Sequence, residues 1–284
     1  MAPPRRLVRT LVGDRSAMSG GVVLLLLGVM AVAAPLVAPY GPGVPQDIIA
    51  LKDVAPSATY PFGTDLHSRD VLSRIIFGTR VSLSVAFLSV TVAVIVGTAY
   101  GAVAGYFGGR VDTVMMRFVD ALLSIPRVLL LIAIATLWNG IGLVGLVLLL
   151  GFTGWFGVSR LVRAIVLSAR EDEFVTAARA LGASDARILV RHILPQAISP
   201  VLVAATLAIG NVVVIEAGLS YLGIGVQEPV ASWGSVFHLG MENFPLTWWA
   251  PLFAGLALVV TVLAVNLVAD GLRQALSTRQ LPAR

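Results

Sequence analysis

The chain has 284 residues, 57% of them hydrophobic and 12% charged, with a mean hydropathy of +0.92. A soluble domain carries about 25% charged residues, so this composition excludes a water-soluble globular protein and implies one that crosses a membrane several times. The chain has no cysteine, which excludes disulfides and thiol chemistry, and His67, His192 and His238 lie too far apart to form a ligand cluster. The net charge of +5 is topological information, read from where the arginines fall and not as a nucleic-acid surface.

Arg5, Arg6, Arg9 and Arg15 precede the first apolar run, Val22 to Ala38. Such a start also describes a signal peptide. The run is long and passes straight into Pro39-Tyr40-Gly41-Pro42 without a clear A-x-A site, which favours an uncleaved anchor with its basic side in the cytoplasm. The expected layout is an N-terminal arm over 1–21, a first transmembrane helix over 22–39 and an extracytoplasmic connection over 40–79. Pro42, Pro45, Pro56 and Pro61 predict irregular structure in that connection. Arg69, Arg74 and Arg80 stand on its outer side against the positive-inside rule, with Asp65 and Asp70 as pairing candidates.

A second span is predicted from about Val81 to Phe107. The amphipathic stretch Asp112 to Leu123 then meets Ile125-Pro126-Arg127, and two layouts fit. One is a single span over Val114–Trp138 kinked at Pro126; the other is an interfacial helix leading into a shorter span. Arginine at mid-membrane costs roughly 2.5–3.5 kcal/mol on the insertion scale, so Arg127 is expected near an interface or facing a polar cavity. Asn139 to Gly142 makes an outer turn, a fourth span runs from Leu143 to about Val158, and Arg160, Arg163 and Arg170 mark the inner side.

The interior segment 172–200 is too polar for a bilayer. Phe174, Ala177, Ala178 and Leu181 share one helical face, and Ala186, Val190, Ile193 and Ala197 repeat the spacing. Gly182 is suited to end the first helix in a left-handed conformation. Ser184 and Asp185 suit the N-cap and first turn of the second. Pro195, without a backbone N–H, is expected to turn the chain onward. The product is a helix–turn–helix bracket between two spans, shaped for docking.

A fifth span follows over about Ala197 to Leu219, with Glu216 near its outer end, and a sixth over about Ala250 to Ala269, carrying Asn266. A carboxylate at that depth is a functional candidate; pairing with an arginine or with amides of the outer loop is an equal alternative. Trp233, Trp248 and Trp249 suit an interfacial aromatic belt. Arginines cluster in the segments assigned inside, which supports six spans, a core over 80–271 with its loop over 172–196, and a cytoplasmic tail over 272–284 with both termini inside. The chain contains no GxxxxGK[ST] loop, HExxH or GxSxG motif, so it has no ATP site of its own and is not expected to be an enzyme.

Four ordered blocks resemble a known family. They are FGTDLHSRDVLSR from Phe62, with Ser68 where glycine is usual; the spacing Ala177-Ala178, Gly182, His192-Ile193-Leu194-Pro195, with Thr176 in place of the usual glutamate; EAGLSYLGIGVQEPVASWG from Glu216; and NLVADGLRQALSTR from Asn266, with Ala269 for glycine and Ser277-Thr278 for Asp-Pro. The chain is similar to the C-type permease subunit of the dipeptide, oligopeptide and nickel group of ABC importers.

The resemblance implies an all-α membrane protein of six transmembrane helices, with the type I ABC-importer permease fold and cytoplasmic coupling helices. It implies a bacterial inner-membrane location, a heterodimer with a B-type permease, one or two ATPase subunits carrying Mg-ATP, and an extracytoplasmic substrate-binding protein. No metal or cofactor is expected on this chain. Thr176, Ala177, Ala178, Arg179, Leu181, Gly182, Ala183, Ser184, Arg187 and Pro195 become the ATPase-coupling residues. In that reading the small ones let the loop sit deep, Arg179 and Arg187 meet acidic groups, and Leu181, Ile188, Leu189 and Ile193 pack toward the spans. Arg127, Glu216 and Asn266 are pathway or gate candidates. Peptide is the favoured cargo, with nickel and glutathione as alternatives. A reading of a different class, a stand-alone ion-coupled carrier, would rest on Asp120 and Glu216, but the repeated halves common in carriers are not seen.

Overall fold

Apolar runs in a bilayer have no water to bond their backbone, so they satisfy it internally as helices. In the computed structural model, which describes residues 13–43, 47, 49–138 and 141–277, the elements are helical. They are α1 (Arg15–Val37), α2 (Val71–Phe107), α3 (Gly109–Leu123), α4 (Arg127–Leu137), α5 (Leu143–Ala169), α6 (Glu173–Ala180), α7 (Asp185–Ile188), a π-helical turn (Leu189–Ile193), α8 (Leu194–Tyr221), α9 (Trp233–Glu242) and α10 (Trp249–Ser277). Five stretches are long and apolar enough to cross a membrane: α1, α2, α5, α7 through α8, and α10. The bent pair α3–α4 makes a sixth if taken as one broken crossing.

Several helices outrun their predicted spans. α2 starts at Val71, inside the expected irregular connection, because Asp70 caps it by accepting from the Ser73 N–H at 2.8 Å. Its 37 residues extend about 55 Å, well past the ~30 Å hydrocarbon layer. α5 continues beyond Val158 to Ala169, which carries Arg160 and Arg163 on helix and places Arg170 at its C-cap. The end of the bundle that bears α6 and α7 is called the loop end below, and the other the far end.

α2 and α5 form the central pair. Gly97, Gly101 and Gly105 recur every fourth residue on α2 and let the backbones touch: a Cβ on Gly101 would lie 2.3 Å from the Ser159 carbonyl oxygen, and one on Gly105 2.8 Å from that of Arg163. This is the small-xxx-small packing by which membrane helices gain van der Waals contact. α8 packs on the other side of α2, and α10 lies against α1, α8 and α9.

The third predicted span is neither one gently kinked helix nor a full crossing that begins at Pro126. α3 and α4 are bent by 80° across Ser124–Pro126, the geometry of a broken span or a re-entrant loop. Asp112 and Asp120 of α3 pair with Arg163 and Arg160 of α5, so α3 lies against the loop-end half of α5. α4 buries Leu131 and Ala135 in the cluster that holds Leu146 and Leu149. Its 11 residues reach only about 16 Å, roughly half of the hydrocarbon layer.

Candidate functional site: an open bracket opposite a closed polar end

The bracket forms where the sequence places it. α6 ends in a Schellman motif: the Ala183 N–H donates to the Ala178 carbonyl at 3.1 Å and the Gly182 N–H to that of Arg179 at 3.0 Å. Gly182 takes φ +82°, with nothing within 4 Å of where a Cβ would stand, so glycine is required by the turn and not by crowding. Ser184 occupies the next N-cap, but its side chain makes no capping bond.

Pro195 does not turn the chain. The π-helical turn Leu189–Ile193 runs directly into α8, where Pro195 is the second residue. There the missing N–H costs little, because a π turn has already broken the regular ladder.

The two faces of the bracket differ. Val175, Ile188 and Ile193 are fully buried with Tyr106, Val162 and Val166 of α2 and α5, and Leu189 and Ala178 are half-buried beside them. Leu181 is not part of this packing as expected: it is 89% exposed, with Val190 at 64% and Phe174 at 42%. Thr176, Ala177, Arg179, Ser184, Ala186 and Arg187 are exposed as well, while Ala183 and Pro195 are half-buried. Of the two predicted stripes, Phe174, Ala177, Leu181, Ala186 and Val190 face outward, while Ala178, Ile193 and Ala197 turn toward the bundle.

A polar strap fixes the inner face. The Tyr106 hydroxyl donates to the Asp185 carboxylate at 2.5 Å, and Arg179 reaches that hydroxyl at 3.5 Å and Asp185 at 4.0 Å. Arg179 is thereby partly engaged within the chain; its hydrogen bond to Tyr106 raises the guanidinium further above its usual range. Arg170 donates to the Gly105 and Tyr106 carbonyls, at 3.4 Å each, at the end of α2.

The far end is closed by Arg69 and Arg74 with Asp65, one of their two predicted partners, and with Glu228, which was not predicted. Arg69 donates to Asp65 at 2.8 Å and to Glu228 at 2.5 Å, and fully buried Arg74 donates to Glu228 at 2.7 Å and stands 3.6 Å from Asp65. Two of the three arginines expected outside, against the positive-inside rule, are therefore held in internal ion pairs; Arg80 is exposed. Asp70, the other expected partner, serves as a helix cap instead. Burial opposes the charge on Glu228, but Arg74 and then Arg69 outweigh it and hold the carboxyl below the usual glutamate range.

Two of the three tryptophans are not an aromatic belt. Trp233 and Trp249 are buried, donating to the Ile75 and Thr64 carbonyls at 3.2 and 3.0 Å; only Trp248 is exposed. Their indole N–H groups find acceptors inside the fold, which removes the reason to sit at an interface.

The three pathway candidates stand in separate environments. Glu216 is fully buried and accepts from the Ser82 hydroxyl at 2.9 Å and the Ser220 hydroxyl at 2.8 Å. Those hydroxyls in turn accept the Trp233 and Val226 N–H groups. Among the described residues its partners are serines, and neither an arginine nor a loop amide reaches it. Arg127 lies on α4 against α5, donating to the Leu150 carbonyl at 3.0 Å and the Thr153 hydroxyl at 3.4 Å. That is level with the middle of the apolar run Leu143–Val158, deeper than expected. Asn266 is exposed on α10. Sequence reasoning missed Glu228, the serines and the glycine stripe; the last was readable from its four-residue spacing.

Comparison with known proteins agrees with this architecture. Residues 97–281 match the family model described as binding-protein-dependent transport system inner membrane component. Residues 3–56 match the N-terminal TM domain of oligopeptide transport permease C. The dipeptide transport system permease protein DppC of Bacillus subtilis is 36% identical over 95% of this chain and 84% of its own length. That of Alkalihalophilus pseudofirmus is 35% identical over 98% and 91%, and a peptide permease protein of Brucella suis is 39% identical over 98% and 91%. Among solved structures, a chain of the MetNI methionine ABC transporter in an inward-facing conformation superposes with a TM-score of 0.56 at 20% identity, over 72% of this chain and 96% of that one, which shows the shared fold. A multi-pass all-helical bundle, an ordered set of motifs and relatives alike over nearly their whole length lead to one conclusion: the chain belongs to the binding-protein-dependent transport system inner membrane component family of ABC permeases.

Proposed function

We propose that this chain is the C-type permease subunit of an ATP-driven importer of di- and oligopeptides. It forms half of the translocation pore with a B-type permease and takes its power stroke from ATPase subunits docked on the bracket. One observation carries the reading: Phe174, Leu181 and Val190 are exposed on a bracket whose opposite face is locked to α2 and α5 by Val175, Ile188 and Ile193. A helical element that is apolar outward and anchored inward is a lever awaiting a socket. The ATPases carry Mg-ATP and hydrolyse it; this chain supplies leverage and no chemistry. A substrate-binding protein delivers cargo at the opposite face of a bacterial inner membrane, and the loop end, with both termini, is cytoplasmic. Peptide is favoured because the curated relatives are peptide permeases by name.

A stand-alone ion-coupled carrier has less support. Asp120 is half exposed and pairs with Arg160, and Glu216 is enclosed by serines, so the two titratable candidates do not form a relay.

The test is Leu181→Asp. Leu181 makes no core contact in this chain, so folding is expected to change by less than about 0.5 kcal/mol. Lost burial of the side chain in a socket is worth about 2 kcal/mol, roughly thirtyfold in ATPase affinity. Co-purification of ATPase subunits and uptake of labelled tri-alanine should both fall. Normal co-purification and uptake would overturn the docking reading. Wild-type uptake of nickel or glutathione with none of tri-alanine would reassign the cargo alone.

A further inference from the structure

Arg127 is a charged group within the helical bundle that this reading leaves without a task. Its guanidinium lies over Gly154, where a Cβ would stand 3.2 Å from Nη2, at the 80° break between α3 and α4. Both of its partners, the Leu150 carbonyl and the Thr153 hydroxyl, are neutral. The carboxylates of neighbouring helices are engaged elsewhere: Asp112 with Arg163, Asp120 with Arg160, Glu216 with serines. Among the described residues, none pairs with Arg127.

A guanidinium has five N–H donors in a fork matched to carboxylate and phosphate, and here Nη1 has no partner among the described residues. An arginine at the depth of an apolar run is costly unless a counter-charge or a polar cavity meets it. A groove of about 510 Å³ opens beside it between α3, α4 and α5. Its walls, Phe118, Leu122, Leu130, Phe152 and Phe156, are apolar, and Thr153 is shared between the groove and Arg127. An apolar groove whose wall residue Thr153 is shared with an uncompensated cation fits a ligand with an apolar body and an anionic group.

We propose that Arg127 is an anion-binding residue that takes a carboxylate or phosphate group from outside this chain, halfway along the bundle. The carboxylate would be that of a transported peptide, and this source rests on the peptide-importer reading; the phosphate would be that of a lipid headgroup, which does not.

The experiment uses the whole purified transporter with its partner subunits, as wild type and as Arg127→Gln and Arg127→Lys. It is reconstituted in phosphatidylcholine vesicles containing phosphatidylglycerol. Native mass spectrometry counts retained phosphatidylglycerol, and ATP-driven uptake of tri-alanine is measured in parallel, with tri-alanine binding to the substrate-binding protein as control. Loss of retained phosphatidylglycerol in Arg127→Gln supports the site with a lipid phosphate. A fall of about tenfold in maximal uptake, the loss of one charge-assisted hydrogen bond, with binding-protein affinity unchanged and partial rescue by Arg127→Lys, supports it with the substrate carboxylate. An intact Arg127→Gln complex unchanged in both measurements overturns the proposal. Should that variant not assemble, Gly154→Ala, which keeps the charge and displaces the guanidinium, is read by the same two measurements: a fall in either supports the site, and no change in both overturns it. Absence of tri-alanine uptake by wild type counts against the peptide reading alone, and lipid retention still decides the site.

Discussion

The two ends of the bundle solve the same problem oppositely. At the far end, Arg69 and Arg74 meet Glu228, 159 and 154 residues away in sequence, and two tryptophans bury themselves on backbone carbonyls. The long-range partners there come from within the chain. At the loop end the inner face is also tied over a distance, Tyr106 to Asp185 across 79 residues, but on the outer face Leu181 and Val190 are left uncovered. A closed end acts as a frame; an open end waits for another molecule to complete it. The difference assigns rigidity to one side of the permease and dependence on a partner to the other.

That contrast is broken most strongly at Arg74. Replacing it with methionine keeps much of the volume and leaves Asp65 and Glu228 with one cation fewer. Removing one partner from a buried pair costs about 3–5 kcal/mol; Glu228 is 39% exposed, so water recovers part of its loss and the lower end, about 3 kcal/mol, is expected. Thermal unfolding of the purified transporter should show it, and a shift no larger than that of Leu181→Asp would erase the distinction between the ends.

Acid sharpens the same point. Glu228 has a depressed pKa in the fold, so the stability it contributes is present above the ordinary glutamate value of about 4.3 and is lost as pH falls through its lower folded one. Melting temperature of the wild type should therefore drop below about pH 4.3, and the drop should be shallower in Arg74→Met. Equal acid sensitivity of the two proteins would mean that the latch is not what titrates.

Much of this was legible in advance, for reasons tied to range. Spans follow from composition, and Gly182 followed from a turn that needs a left-handed residue, a local property. Arg74 with Glu228 was not readable, because the partner is set by how α2 meets the segment between α8 and α9. Trp233 and Trp249 misled because a tryptophan near a span end fits a belt or a core equally well until its N–H has an acceptor. Pro195 misled because the π turn before it had already opened the helical ladder. Leu181 was placed on the correct stripe and given the wrong neighbour, since periodicity says which residues share a face and not what covers it.

The smallest effects come from two helix starts that look alike in sequence, Asp70 before α2 and Ser184 before α7. Asp70 is buried and accepts from both the Ser73 N–H at 2.8 Å and the Ser73 hydroxyl at 2.6 Å, and that hydroxyl accepts the Tyr40 N–H at 3.0 Å. Asp70→Ala is therefore expected to cost about 1–2 kcal/mol. Asp70→Asn should cost less, since it keeps an acceptor for Ser73 and removes a buried charge whose Oδ1 has no partner. Ser184 makes no capping bond, and the Schellman bonds around Gly182 already fix the turn before it, so Ser184→Ala should stay within about 0.5 kcal/mol of wild type. The ranking, not either value, is the test. Equal losses at Asp70 and Ser184 would mean that the bracket is held as firmly as the frame, and a firmly held bracket has less need of a partner to order it.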